Sequence, residues 1–306
     1  MATAKGNIDK TQRQRTLVDR GITAFNHLRY TALERFQLRL ARGRHGARYL
    51  DDNQRQRPLI SVYIPTYNRA HLLRARSIPT VLAQTYSNFE LIISGDCCTD
   101  DTASVVGSFK DNRIRFINLP YRKRRYPETA ENHWLAGPVV AANQALRHCR
   151  GDWIARLDDD DLWMPNHLEK LVHLALNGKY EFVSAKAEFE RFGRREVLDP
   201  PGARDPYYTR SPSIPGLYSP PIGPTQTWLY RSYLKFFRYN INCWRKSWNR
   251  VNDIDLSLRM FNAGVLMGFL PEVTALIIPR PGDETVGIDA YKARPEEHLS
   301  HYQFMR

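Results

Sequence analysis

Two near-continuous apolar runs constrain this chain more than any other feature. LISVYI (59–64), ended by Pro65, and FELIIS (89–94) lack the strict polar alternation of a half-exposed strand. Such runs read as strands buried on both faces, as in parallel sheets covered by helices. RIRFINL (113–119) and DWIARL (152–157) supply a third and a fourth strand. Helical segments separate them. They are residues 70–84, then TDDTASVVGSF (99–109), opened by a Thr cap and acidic first-turn residues, then PVVAANQALRHC (138–149). Strands alternating with helices predict an α/β domain built on an open, mostly parallel sheet. Ligands bind such sheets beyond the carboxyl ends of the strands. Three polar clusters fall there: PTYNR, SGDCCTDD and the acidic stretch RLDDDDLWMP (156–165).

In that acidic stretch Asp158, Asp159, Asp160 and Asp161 stand in a row. The chain is otherwise basic, with 45 Lys+Arg against 32 Asp+Glu and a net charge of +13. Adjacent like charges repel, so a positive charge is expected among them. A carboxylate pair at the end of a buried strand can hold a hard divalent cation. Mg²⁺ takes one or two protein carboxylates, and substrate phosphates and water complete its shell. The competing reading is a solvated acidic turn in which Asp161 merely favours the dipole of the next helix. The position directly after a buried strand favours the cation. The basic excess favours polyanionic partners: nucleic acid, anionic lipid or phosphorylated small molecules. No nucleic-acid recognition motif is present, which disfavours the first. The four cysteines have neither metal-ligand spacing nor the density of a disulfide framework, so a reducing, cytoplasmic compartment is expected. No apolar signal core opens the chain, and no run of about 18 apolar residues occurs, so at most peripheral attachment to a membrane surface is expected.

Between Thr16 and Leu40, apolar residues recur at Val18, Ile22, Phe25, Leu28, Ala32, Phe36 and Leu40, one face of a helix, with arginines on the other sides. The simplest expectation packs this stripe on the main body and leaves the basic face in solvent. A membrane-surface helix and a nucleic-acid arm are the alternatives. Further along, residues 180–198 read as a β-hairpin, and 199–226 as a long Pro/Gly-rich loop suited to a lid. VNDIDLSLRMFNAG (251–264) reads as a helix with an Ile254, Leu258, Phe261, Val265 stripe, ended by Gly264. VLMGFL and EVTALIIP read as closing strands, followed by a polar tail.

Five segments, in order, resemble the family 2 glycosyltransferases of the GT-A fold. They are SVYIPTYNRAHLLRARSIPTVLAQTY, FELIISGDCCTDDT, GPVVAANQAL, GDWIARLDDDDLWMP and NDIDLSLRM. The resemblance implies a Rossmann-like mixed, mostly parallel sheet flanked by helices. It divides the chain into a basic helical N-terminal extension (1–57), a nucleotide-sugar-binding half (58–165), an acceptor-binding half (166–280) and a C-terminal tail (281–306). It implies that Pro65, Thr66 and Tyr67 line the donor base and that Asp96 accepts a pyrimidine N3–H. It places Asp158 at the ribose, Asp159 close to the nucleotide, and Asp160 on a Mn²⁺ or Mg²⁺ that bridges the two phosphates. Asp253 falls at the general base; Asp255 is a second candidate, or a helix cap. Gly95-Asp96-Cys97-Cys98, Ala141-Ala142-Asn143 and Asn252 depart from the family's usual acid pair, Ala-Arg-Asn and Glu, which bears on donor identity.

The implied activity is metal-dependent, inverting transfer of a sugar from a UDP- or dTDP-linked donor. The acceptor would be a hydroxyl of a glycan or lipid-linked molecule. An inactive sugar-nucleotide-binding protein and a nucleotidyltransferase are the alternatives. The second usually carries a Gly-rich loop where this chain has PTYNR. On the acceptor side, Trp228, Trp244 and Trp248 are either sugar platforms or core. His133 and Trp134 lie in an unusually long connection. YRKRRY (121–126) offers Arg122, Lys123, Arg124 and Arg125 as a solvated face, an anionic-acceptor site or a donor-phosphate contact. His298 or His301 is a candidate to complete the metal shell.

Overall fold

The computed structural model describes residues 16–50, 57–122, 125–197, 221–247 and 250–297, the side chains of 47–50 excepted. β1 (Ile60–Thr66) and β2 (Phe89–Gly95) are buried at every position, as their apolar runs require. They pair in parallel with each other, β2 pairs in parallel with β3 (Ile114–Asn118), and β1 does so with β4 (Trp153–Arg156). The chain therefore winds outward from β1 to β3 and returns to lay β4 on the other side of β1. That reversal opens a crevice at the carboxyl ends of β1 and β4, where open α/β sheets take ligands.

Beyond β4 the sheet becomes mixed. β8 (Leu229–Arg231) runs antiparallel to β4 and to β6 (Phe182–Arg191), and β6 runs parallel to β9 (Met267–Ile277). The two-residue β5 (Leu162–Trp163) pairs with β9 at the far edge. The expected hairpin forms between β6 and β7 (Arg194–Val197), turning at Phe192 and Gly193, both at positive φ. A two-residue turn of that kind matches the strand twist. The two closing strands expected from the sequence are one strand, β9. Its register to β6 shifts between Leu270 and Val273, which places Pro271 in a bulge where no ladder donor is needed.

The first helical segment is α2 (Ala70–Leu72) and α3 (Ile78–Leu82), joined by a π-turn over Leu73–Ser77. Pro79 cannot donate to the carbonyl one turn back, and the wider turn absorbs the gap. In α4 (Thr102–Ser108) Thr99 is not the cap. Asp100 accepts from the Thr102 amide at 3.2 Å and from the Ala70 amide at 3.1 Å, tying α4 to α2. The stretch before 138 contains a further helix, α5 (Ala130–Ala136), capped by the Thr129 hydroxyl, and α6 (Val139–His148) follows it.

α7 (His167–Asn177) opens on a buried histidine. The His167 ring stacks on Trp163 with centroids 4.1 Å apart, and Nδ1 faces the Thr274 carbonyl at 3.2 Å. Burial pushes its pKa down to about 3. The unfolded chain keeps an ordinary value near 6.5, so between these values only the unfolded state binds the proton. Stability is therefore fully present above about 6.5 and is lost as pH falls towards the folded pKa, at about 1.4 kcal/mol per pH unit. In urea unfolding between pH 6 and pH 4, His167→Phe is expected to flatten the wild-type loss of stability by roughly this slope. Parallel curves would assign the acid lability to other groups.

α1 (Leu17–Leu50) begins with a reciprocal capping box: Asp19 accepts from the Thr16 amide, and Thr16 Oγ1 accepts from the Asp19 amide, both at 3.1 Å. Its orientation reverses the expected one. Val18, Phe25, Leu28, Phe36 and Leu40 are exposed, whereas Asp19, Glu34 and Leu38 are buried. Charge pairs hold the inner face to the body. Asp19 meets Arg245 at 2.6 Å, Glu34 meets Arg259, and Arg42 forks onto Glu181 at 2.7 and 2.5 Å. α8 (Asn252–Ala263) underlies part of α1 and ends, as expected, at Gly264 in the left-handed region. Of its expected stripe, Phe261 and Val265 are buried while Ile254 and Leu258 are half-buried; in its first turns Leu256 and Met260 face inward instead, beside Asp255, which meets Arg259 at 2.9 Å. Among the described residues, no helix is long and apolar enough to cross a membrane.

Candidate active site

A cavity of about 360 Å³ occupies the crevice beyond β1 and β4. Pro65, Thr66 and Tyr67 at the end of β1, Asp96 after β2, Asp158 to Asp161 after β4, and Asn252 and Asp253 at the start of α8 all line it. Thr66, Asp96, Asp160 and Asp253, the leading sequence candidates for the donor, the metal and the base, thus border one space, within the size range of small-molecule sites.

The positive charges among the four aspartates are arginines. Arg156 donates to Asp158 at 2.8 Å. Arg69 donates to Asp159 at 2.7 Å and reaches Asp160 at 3.3 Å, and Thr66 Oγ1 donates to Asp159 at 2.8 Å. Arg280 lies 4.0 Å from Asp160, and Arg76 donates to the Asp160 carbonyl at 2.9 Å. Gln226 Nε2 donates to Asp161 and, at 3.2 Å, to Asp158. Burial raises the pKa of Asp158 and Asp159, the adjacent Asp160 adds to the rise, and Arg156 and Arg69 respectively oppose it. Asp161 is raised furthest, again chiefly by burial.

Asp160 is the least committed carboxylate of the run, since the two arginines that face it stand at 3.3 and 4.0 Å. Among the described residues, no three His, Cys, Asp or Glu side chains form a protein-only metal cage. An oxygen-donor wall with one lightly held carboxylate does suit Mg²⁺ or Mn²⁺, which draw most of their shell from phosphates and water.

Asp96 is buried and accepts from Arg122 Nε at 2.8 Å and from both Arg125 Nη atoms at 3.1 and 3.0 Å. The Arg122 guanidinium also lies over the Tyr67 ring, 3.9 Å from its centroid. Arg122 and Arg125 are therefore not a solvated face; they are the counter-charges of Asp96. Lys123 and Arg124 lie outside the described residues.

Asp253 and Asp255 separate cleanly. Two residues span about 200° of a helix, so they occupy opposite faces. Asp253 faces the cavity, accepts the Ile254 amide at 2.7 Å, and has its pKa raised by burial against the pull of Arg156. Asp255 is buried between Lys246 at 2.7 Å and Arg259 at 2.9 Å, away from the cavity, and does not cap the helix. Trp228 and Trp244 are core residues, the first edge-on to Phe182. His133 and Trp134 border the cavity. Trp248, His298 and His301 lie outside the described residues, as does most of the 199–226 loop; Pro224, Thr225 and Gln226 at its end line the cavity.

Sequence reasoning missed the arginines that serve the acidic run. Arg69 and Arg156 stand inside the motifs already noted, so that signal was present. It also missed the segment 285–291, read as tail, which forms a wall of the cavity. There α9 (Ile288–Ala293) packs against α5, and Arg69 donates to the Tyr291 hydroxyl at 3.3 Å.

Known proteins resemble this chain in sequence and in fold. A glucosyltransferase of Escherichia coli, WfgD, named for UDP-Glc and an α-D-GlcNAc-diphosphoundecaprenol acceptor, is 35% identical over 130 residues, 42% of this chain and 46% of that protein. The chain spans about half the length of several such relatives. Among solved structures, Staphylococcus aureus TarS 1–349 with UDP-GlcNAc superposes with a TM-score of 0.53 at 16% identity, covering 74% of this chain and 60% of that one. The mannosyltransferase PcManGT of Pyrobaculum calidifontis, with GDP-Man and Mn²⁺, gives 0.50 at 19% identity over 83% and 70%. These two show the shared GT-A fold. The family profile described as Glycosyl transferase family 2 matches residues 61–237, which contain β2, β4, the acidic run and all of β1 but its first residue. The chain belongs to glycosyl transferase family 2.

Proposed function

We propose that this cleft transfers a sugar from a nucleoside diphosphate sugar to a hydroxyl of a glycan or lipid-linked acceptor, with inversion at the anomeric carbon. One observation carries the reading: the acidic run after β4 and Asp253 on α8 border the same cavity at the sheet's switch point. Pro65, Thr66, Tyr67 and Asp96 form the base end of the donor site. Asp158 and Asp159 form its ribose and phosphate end. Asp160 holds Mn²⁺ or Mg²⁺. Such an ion, when bound, offsets the charge gathering on the departing diphosphate. Asp253 takes the proton of the acceptor hydroxyl, and one base with one displacement inverts the configuration. UDP is the favoured nucleotide, supported by the UDP-Glc donor in the name of the similar E. coli enzyme. The same name supports a lipid-linked diphosphate acceptor.

Thermal shift with and without Mn²⁺ tests the donor site. A ligand that binds only the folded state raises the melting temperature according to its affinity. UDP with Mn²⁺ is expected to give the largest shift of a nucleotide panel, and Asp160→Ala is expected to abolish its metal-dependent part. An equal shift in the variant would remove Asp160 from the ion.

A further inference from the structure

The outward face of α1 has no partner among the described residues. Twelve large apolar side chains are exposed among the described residues, and seven of them belong to this one helix. Val18 (63% exposed), Phe25 (66%), Leu28 (70%) and Phe36 (59%) stand clear of the body. At about 100° per residue, Val18, Phe25 and Phe36 fall within roughly 20° of one line, so they form a ridge. From Val18 to Leu40 that ridge runs about 33 Å.

The charges around the ridge are one-sided. The helix carries two acids, Asp19 and Glu34, and both are buried in ion pairs with the body. Arg20, Arg29, Arg39 and Arg44 are exposed. The outward surface of α1 therefore presents apolar side chains and positive charge with no exposed acid. We propose that this face docks the protein on an anionic lipid bilayer, lying in the interface with its ridge below the headgroups.

The alternatives fit the same facts less well. A second copy packed ridge to ridge would bring Arg29 and Arg39 of both chains together with no acid between them. Nucleic acid would satisfy the arginines and leave the phenylalanines without a function. A bilayer satisfies both, because arginine stems lie along apolar surface while the guanidinium reaches the headgroups. The inference does not depend on the transfer reaction proposed above.

The test is flotation of the full chain with phosphatidylcholine vesicles, with and without phosphatidylglycerol. Binding is expected only with the anionic lipid, and it should weaken as salt is raised. Phe25→Asp/Phe36→Asp should lower the bound fraction at least about tenfold. Arg29→Glu/Arg39→Glu should lower affinity by about fivefold or more per site. Phe25→Leu/Phe36→Leu should keep binding. All variants should melt like the wild type and keep the UDP-dependent thermal shift, which separates this inference from the donor site. Absence of binding to anionic vesicles, equal binding to neutral ones, or indifference to either charged pair would overturn it. So would a dimer in solution that Phe25→Asp/Phe36→Asp converts to monomer, which would assign the ridge to a second copy.

Discussion

Asp253→Asn is expected to leave the nucleotide sugar bound and to slow transfer by about 10² to 10⁴, the range that general-base assistance contributes. The substitution keeps the shape of the side chain and its acceptor oxygen for the Ile254 amide. It removes only the capacity to take a proton. Asp253 borders the same cavity as the acidic run but has no ion pair among the described residues, whereas Asp158 and Asp159 are tied to Arg156 and Arg69. Burial raises the Asp253 pKa, and Arg156 opposes the rise. A base must be deprotonated to act, so the acid limb of the rate should lie above the ordinary aspartate range of about 3.9 and should vanish in the variant. The check is release of UDP from UDP-glucose in the presence of acceptor, with nucleotide affinity measured separately. Full activity in Asp253→Asn would place the base elsewhere. Lost donor binding would make Asp253 part of the donor site instead.

The positions of the candidate donor and base residues were legible for a physical reason, although their roles were implied only by the family resemblance. Strands buried on both faces must be apolar throughout, so β1, β2 and β4 announce themselves, and their carboxyl ends locate Thr66, Asp96 and Asp158 without any tertiary information. Helical periodicity and a glycine stop placed Asp253 in the first turn of a helix. What remained illegible depends on distant pairs. The period of α1 reveals an apolar stripe but not its direction. That direction is set by Arg245, Arg259 and Glu181, which lie 226, 225 and 139 residues from their partners Asp19, Glu34 and Arg42. The charge among the aspartates was expected to be a metal ion. Arg69, 90 residues from Asp159, already provides part of it. The stripe of α8 holds at Phe261 and Val265 but not in its first turns, where Asp255, a polar residue by any local rule, is buried with two cations. These three misses share a cause: a charged side chain whose partner sets its burial.

Arg122→Ala is expected to destabilise the fold by about 3–5 kcal/mol, as when one partner of a buried pair is removed and the other charge is left inside. Arg122 and Asp96 are 2% and 1% exposed, so the pair is shielded from bulk water. Arg125 still reaches both Asp96 oxygens, which should hold the loss towards the lower end of that range. The variant should also weaken UDP binding, because the Arg122 guanidinium lies on the Tyr67 ring at the base end of the cleft. Arg122→Lys separates the two effects. It returns the charge to Asp96 but not the planar group that stacks on the ring and donates from Nε. Stability should recover more than nucleotide affinity does. Urea midpoints and UDP titrations on the three proteins check this. Wild-type stability in Arg122→Ala would show that Arg125 alone neutralises Asp96. Full recovery of both quantities in Arg122→Lys would show that only the charge matters, and that the stacked plane does nothing for the base site.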